Sequence, residues 1–296
     1  MGSRPASGGL FAVSGSPPPS PLPQAGGGIR RAIAAAAARF TFSETPRLDA
    51  ELLMGNALGI TREALLLRHL DDAVPAAFAA LVERRAAQEP IAYITGTRAF
   101  WTIDIAVGPG VLIPRADSET LIEAAVDHFA GRAPTHILDL GTGPGTLLLA
   151  ALDLWPEASG LGVDASDAAL ALARDNAARL GMASRAAFVA GDWAVGLTGR
   201  FDLILANPPY IGTGESLPDE VRRYEPAAAL FAGTDGLDDY RIIAPQLAAL
   251  LASGGAAILE IGSTQADAVT ALLVAQGLAV TPRNDLGGRP RALVAT

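Results

Sequence analysis

The 296-residue chain reads as an α/β protein with a mainly parallel sheet flanked by helices, preceded by a small helical bundle and a β-hairpin linker. Three observations predict this class. From residue 117 onward, short apolar runs alternate with helix-length stretches, the pattern of repeated βα units. Residues 29–90 carry helix signals almost throughout. Between the two, residues 91–112 alternate β-type residues with turn punctuation. Half of the residues are apolar, and the length suits one large domain plus a small one with an ample core.

Residues 1–28 are rich in Gly, Pro and Ser, too poor in apolar side chains to offset their ordering entropy, so a disordered tail is predicted. It lacks a basic segment followed by an apolar core, the mark of a secretory signal, and no stretch of about 18 apolar residues suggests a membrane span. A cytoplasmic location is the resulting expectation. Within 29–90, residues 30–40 are alanine-rich, Pro46 opens a second helix, Thr61 caps a third, and Pro75 starts a fourth that ends near residue 88. Tyr93-Ile94-Thr95-Gly96 and the run from Trp101 to Val107 form the predicted hairpin, which leads into Val111-Leu112-Ile113-Pro114-Arg115. In residues 113–296, Asp117 caps a helix to about residue 130. Strands are then expected at 136–140, 161–163, 188–190, 203–206 and 256–261, with helices at 146–155, 168–180, 240–251 and 265–276 and final strands near Leu278 and Leu293.

Composition narrows the function classes. The 22 Lys+Arg against 31 Asp+Glu give a formal charge of −9, which argues against a broad basic footprint for nucleic acid. The absence of Cys excludes disulfides, zinc-thiolate sites and a thiol nucleophile. His69, His128 and His136 show no ligand spacing, so no metal is expected; His136, in an apolar run, reads as a satisfied core histidine. Arg283, Arg289 and Arg291 read as a solvated face.

Four stretches carry candidate chemistry. Asn207-Pro208-Pro209-Tyr210 follows the apolar run 201–206 and so sits at a strand's carboxyl end, the edge where open α/β sheets bind ligands. Its prolines make it stiff and leave it mainly acceptors, the Asn207 amide oxygen and backbone carbonyls, which suits a substrate bringing N–H donors. Asp139-Leu140-Gly141-Thr142-Gly143-Pro144-Gly145 joins the first strand of this part to its helix. Its glycines permit close backbone approach, and the G-x-G-x-G spacing differs from the dinucleotide fingerprint G-x-G-x-x-G. Asp164 ends the next strand, where a carboxylate can accept both hydroxyls of a ribose. Asp192 and Trp193 follow the third strand, where a carboxylate could take an adenine amino group and an indole could cover a ring. Each alone is compatible with an ordinary turn, a solvated acid or a packed Trp. Together, at successive strand ends, they point to one crevice.

This combination resembles the class I, Rossmann-like S-adenosylmethionine-dependent methyltransferases that act on a planar nitrogen: adenine N6, guanine N2 or the glutamine side-chain amide. Residues 89–96 (Glu89-Pro90-Ile91-Ala92-Tyr93-Ile94-Thr95-Gly96), Phe100-Trp101, Val111 to Arg115 and Asp117, Ser118 and Glu119 narrow it. With Val221-Arg222-Arg223-Tyr224-Glu225-Pro226, Ala229-Leu230, Gly233, Asp235-Gly236-Leu237, Asp285 and Arg289, they resemble the peptide-chain release factor N5-glutamine methyltransferases over about residues 30–296. The resemblance implies a seven-stranded sheet, a helical N-terminal domain that helps dock the factor, and methylation of the glutamine in the factor's Gly-Gly-Gln motif. It implies a donor site from Gly141, Thr142, Gly143, Pro144, Gly145, Asp164, Asp192, Trp193 and Asn207, with S-adenosylhomocysteine as product and no metal. Asn207 and Pro208 would accept both amide hydrogens of the substrate, Tyr210 would stack on it, and Pro209, Phe100 and Arg115 are further substrate-side candidates. Arg115 could equally tie the hairpin to the following domain, the role favoured for Glu119, and Glu225-Pro226 would shape a loop over the site. Ala116 stands where that family usually has proline. A monomer without direct nucleic-acid or membrane contact is expected. The alternatives are an adenine or guanine amino-group methyltransferase, which predicts an RNA-binding module or a basic cleft, and a non-catalytic donor-binding interaction protein.

Overall fold

The computed structural model describes residues 28–296, so the tail expected at 1–28 lies outside the described residues except for Gly28. The chain opens with helices α1 (Ile29–Ala37), α2 (Pro46–Leu58), α3 (Arg62–Arg68) and α4 (Ala77–Ala86). Pro46 stands at the first position of α2, where its missing N–H costs nothing, and the Thr61 side chain accepts the Ala64 N–H at the start of α3. Ile29, Ile33, Phe40, Leu53, Met54, Leu65, Phe78 and Val82 meet in a core of their own. A short helix α5 (Ile91–Thr95) follows, where a strand is expected from Tyr93 to Gly96. Pro90 begins this turn, Gly96 at φ 79° ends it, and Tyr93 points inward to donate its hydroxyl to the Val111 carbonyl. Strands β1 (Thr97–Phe100) and β2 (Ile103–Ala106) form the antiparallel hairpin.

The larger part is built from α6 (Glu119–Phe129), β3 (His136–Leu140), α7 (Thr146–Leu154), β4 (Ser159–Asp164), α8 (Asp167–Arg179), β5 (Ala186–Ala190), β6 (Phe201–Ala206), α9 (Asp219–Tyr224), α10 (Asp238–Leu250), β7 (Leu251–Glu260), α11 (Ala266–Val274), β8 (Val280–Asn284) and β9 (Pro290–Ala295). Seven strands lie in the order β5-β4-β3-β6-β7-β9-β8, with β5 to β7 parallel and β9 antiparallel to both of its neighbours. Alternation along the strands separates two cores. Ile137, Leu203 and Leu205 face α6, α7 and α8, while Leu138, Ile204 and Ala206 face α10 and α11. Strand order reverses between β3 and β4 on one side and β6 on the other, so the carboxyl ends of β3 and β6 border the switch point where such sheets hold ligands.

Three differences from the sequence reading have simple causes. Asp117 falls inside a 3₁₀ turn, Ala116–Ser118, and its carboxylate faces Arg291 at 3.2 Å in place of capping α6. His136 is exposed, because it is the first residue of β3 and projects beyond the sheet's amino edge. Arg291 is buried on β9 between Asp117 and Asp285, while Arg289 stays 60% exposed, so the arginine group is only partly a solvated face.

The hairpin and bundle are fastened to the sheet by side chains. Asn176 of α8, fully buried, accepts the Ala106 N–H at 2.8 Å and donates to the Ala106 and Pro144 carbonyls. Glu119 accepts the Trp101 N–H at 2.9 Å. Arg85 of α4 bridges Asp49 of α2 and Glu220 of α9, at 2.8 and 2.7 Å.

Candidate active site

A cleft of about 480 Å³ opens above the carboxyl ends of β3, β4, β5 and β6. This is within the range of small-molecule sites. Its floor begins with Gly141 and Gly143, both at positive φ, which only glycine adopts freely. A Cβ on Gly141 would lie 3.0 Å from the Trp193 ring, so backbone here is an open surface that a side chain would fill. Below the loop, buried Asp139 accepts from Thr142 Oγ1 at 2.6 Å and Leu148 N at 3.2 Å, which fixes the turn from beneath. Burial pushes its carboxyl up to about 7 against the pull of those two donors.

Asp164 ends β4 with each carboxylate oxygen accepting one backbone N–H, from Gly143 and Ser166, both at 2.8 Å. Each oxygen keeps a further lone pair for a hydroxyl donor, and the carboxylate lines the cleft. Asp192 and Trp193 line the far end. Trp193 has a φ of 52°, and burial raises the carboxyl of Asp239, at the start of α10, against the pull of the Trp193 indole. Asp164, Asp192 and Asp239 all line the cleft, and its lining contains no arginine or histidine. Such a wall suits a nucleoside that brings hydroxyl and amino donors and a positive charge. It offers no cationic side chain to a pyrophosphate. These observations fit S-adenosylmethionine, a cationic nucleoside without phosphate.

Asn207 and Pro209 close the cleft at the β6 end. The Asn207 amide donates through Nδ2 to Ser118 Oγ at 3.1 Å, which leaves Oδ1 as an acceptor. Opposite stand Gly110, Val111 and Leu112 from the linker and Pro226, Ala228 and Ala229 from the segment after α9. Glu225 holds these two walls together: it accepts the Ile113 N–H at 3.0 Å and pairs with Arg115 at 2.5 Å.

Thr142, Pro144 and Gly145 are buried beneath the glycine turn and do not line the cleft. Pro208 is buried. Tyr210 packs beside the α10/α11 core and points its hydroxyl at Glu260 Oε1, 3.4 Å away; burial pushes that phenol up to about 12. Phe100 is 1% exposed and lies in the core under α6 and α7, away from the cleft. Arg115 is spent on Glu225 and the Ile113 carbonyl. Asp239 carries no signal in the sequence that would assign it to the site, since it comes from an element distant in the chain from the motifs. Among the described residues, no group of three or more His, Asp or Glu could hold a metal ion, and no helix is long and apolar enough to cross a membrane.

The sheet order and an acidic, glycine-floored cleft beside an Asn-Pro-Pro-Tyr turn define a class I methyltransferase. Comparison with known proteins agrees. Residues 31–96 match the PrmC N-terminal domain family and residues 116–223 the methyltransferase small domain family. A release factor glutamine methyltransferase of Rhodospirillum rubrum is 45% identical over 260 residues, covering 85% of this chain and 79% of that protein. Those of Bradyrhizobium diazoefficiens and Moorella thermoacetica are 44% and 41% identical, covering 90% of this chain and 93% and 98% of theirs. The human hMettl16 catalytic domain, solved with an RNA hairpin, has a TM-score of 0.52 at 15% identity, covering 66% of this chain and 76% of that one, a likeness of fold alone. This chain belongs to the release factor glutamine methyltransferase family.

Proposed function

We propose that this enzyme methylates the side-chain amide nitrogen of the glutamine in the Gly-Gly-Gln motif of peptide chain release factors. The observation that carries the reading is Asn207: its Nδ2 is committed to Ser118, so Oδ1 is left as an acceptor at the edge of the nucleoside cleft. S-adenosylmethionine, when bound, supplies an electrophilic sulfonium methyl. Gly141, Gly143, Asp164, Asp192 and Trp193 are the residues that would hold it.

An amide nitrogen is a poor nucleophile because its lone pair is delocalised into the carbonyl. Acceptance of its two hydrogens by Asn207 Oδ1 and the Pro208 carbonyl would orient the NH2 and draw electron density onto nitrogen as the N–C bond forms. This is positioning plus electrostatics, and requires no strong base before attack. The nitrogen then sheds one proton to solvent.

Membership in the family supports the protein substrate. The net charge of −9 supports it too, since a nucleic-acid backbone gains most of its affinity from cations. The reading takes the enzyme to be a cytoplasmic monomer that meets the factor directly, with the N-terminal bundle as part of the docking surface. The test is methyl transfer from labelled donor to a purified release factor, run beside RNA and DNA. Labelling of nucleic acid with none on the factor would overturn the assignment.

A further inference from the structure

The donor cleft accounts for one side of Asn207. No residue of 284–295 lines it, and the sheet register shows that these residues stand on the other side of the same edge. Ala206 is level with Leu259, and Glu260 with Ala292, so Asn207 is level with Ala292 and the turn from β8 to β9, residues 285–289, projects beyond it. β9 lies two strands from β6, about 10 Å away. Side chains join the two. Asp117 Oδ2 lies 3.2 Å from Arg291 Nη2 and 3.9 Å from Arg289 Nη2, and the next residue, Ser118, meets the Asn207 amide at 3.1 Å.

The turn is stiff. The Asp285 N–H donates to the Arg289 carbonyl at 2.8 Å, and the Gly288 N–H donates to the Asp285 carbonyl at 2.9 Å. The buried Asp285 carboxylate accepts the Arg289 backbone N–H at 3.0 Å and its Nε–H at 3.2 Å. Two side chains of this turn face solvent: Leu286 is 99% exposed and Arg289 60% exposed. A lone exposed leucine is ordinary on a protein surface, so its place is what gives it meaning. It stands on a rigid turn beside a site that has to hold a second macromolecule. Arg289 spends Nε within the turn, whereas Nη1 and Nη2 make no hydrogen bond among the described residues, so the outer fork of the guanidinium is open to acceptors.

We propose that the turn 285–289 is part of the acceptor-binding surface: Arg289 donates to backbone carbonyls of the segment that carries the target glutamine, and Leu286 packs against an apolar side chain of the release factor beside it. The proposal rests on the release factor reading given above. A Gly-Gly-Gln segment suits this donor, because its glycines offer no side chain and leave bare carbonyls to be recognised, and a charged donor makes the stronger hydrogen bond to them. A glutamine with its amide nitrogen at Asn207 keeps its backbone one side-chain length farther out, on the side of the edge to which the turn projects.

The test is steady-state methyl transfer by the full chain to a purified release factor. Arg289→Ala is expected to raise KM for the factor about 10-fold or more, the scale of a lost charged hydrogen bond, with kcat within about threefold and S-adenosylhomocysteine affinity within about twofold of wild type. Arg289→Lys, which keeps the charge and loses the fork, should recover only part of the loss. Leu286→Ala changes an exposed side chain, so the unfolding midpoint should stay unchanged while KM rises about 3- to 10-fold. A short peptide spanning Gly-Gly-Gln separates the two contacts: it should keep the Arg289 loss and show none from Leu286. KM within about twofold of wild type in both alanine variants would overturn the proposal and leave the release factor assignment standing, since wild-type labelling tests that by itself. A wild type inactive on the factor would overturn both. Concentration-dependent self-association that Leu286→Ala abolishes, at unchanged KM, would assign the turn to a second copy of this chain and overturn the proposal.

Discussion

Glu225→Ala tests how the cleft is kept closed. The Glu225 side chain is 2% exposed and accepts two hydrogen bonds, from the Ile113 N–H at 3.0 Å and from Arg115 at 2.5 Å. The charged bond is worth about 1.5–3 kcal/mol and the backbone bond about 1 kcal/mol. The substitution also leaves Ile113 N–H without an acceptor. Two effects oppose these losses. Arg115 is 36% exposed and can rehydrate, so the about 3–5 kcal/mol of an orphaned buried charge does not apply in full, and the burial cost of the carboxylate itself disappears. The net expectation is about 2–3 kcal/mol of lost stability. Function should follow, because Glu225 joins the wall formed by Val111 and Leu112 to that formed by Pro226, Ala228 and Ala229. Urea unfolding with fitted m-values reads the first effect, and calorimetric titration with S-adenosylhomocysteine reads the second as several-fold weaker binding. Glu225→Gln, which can still accept from Ile113, should lose only about 1 kcal/mol. A Glu225→Ala protein within about 0.5 kcal/mol of wild type, the range of ordinary surface changes, with unchanged ligand affinity would refute the reasoning.

Three further outcomes are expected. Phe100→Ala should cost about 3–5 kcal/mol in denaturant unfolding, as a buried aromatic truncation does, while KM for the release factor stays near wild type; a raised KM at unchanged stability would return Phe100 to the substrate side. Gly141→Ala should weaken S-adenosylhomocysteine binding about 10-fold or more, because the added methyl meets the Trp193 ring at 3.0 Å and φ is +68°; unaltered affinity would remove the glycine cradle from the account. The third concerns pH. Asp139 titrates near 3.8 when unfolded and about 7 when folded, so between those values the unfolded chain has released a proton that the native state keeps. Stability therefore falls as pH rises from about 4 to 7, by an amount on the order of a few kcal/mol, and the slope from this group vanishes above and below. Urea unfolding of Asp139→Asn should show a flatter profile across that window, and an unchanged slope would contradict the buried carboxyl.

What sequence made legible follows local pattern. The runs 136–140 and 203–206 are strands because continuous apolar stretches suit a sheet covered on both faces, and the turns after them carry Gly141 and Asn207 to one edge. Asp164, Asp192 and Trp193 reach the same cleft for the same reason. Burial depends on partners distant in the chain, and there the reading erred. Phe100 is taken into the core by α6 and α7, and His136 escapes it by one residue at the strand's start. The acid that completes the cleft lining, Asp239, arrives from α10, more than 30 residues after Asn207, with no motif of its own. Arg115 illustrates the same limit: its ion-pair partner Glu225 lies 110 residues away, out of reach of any local pattern.

The most direct test of the account is transfer of labelled methyl from S-adenosylmethionine to a purified release factor and to the same factor with the Gly-Gly-Gln glutamine replaced. The account predicts one methyl on the peptide carrying that motif, none on the substituted factor, and at least about a 10²-fold slower rate with Asn207→Ala. Equal labelling of both factors, or undiminished turnover by Asn207→Ala, would contradict it.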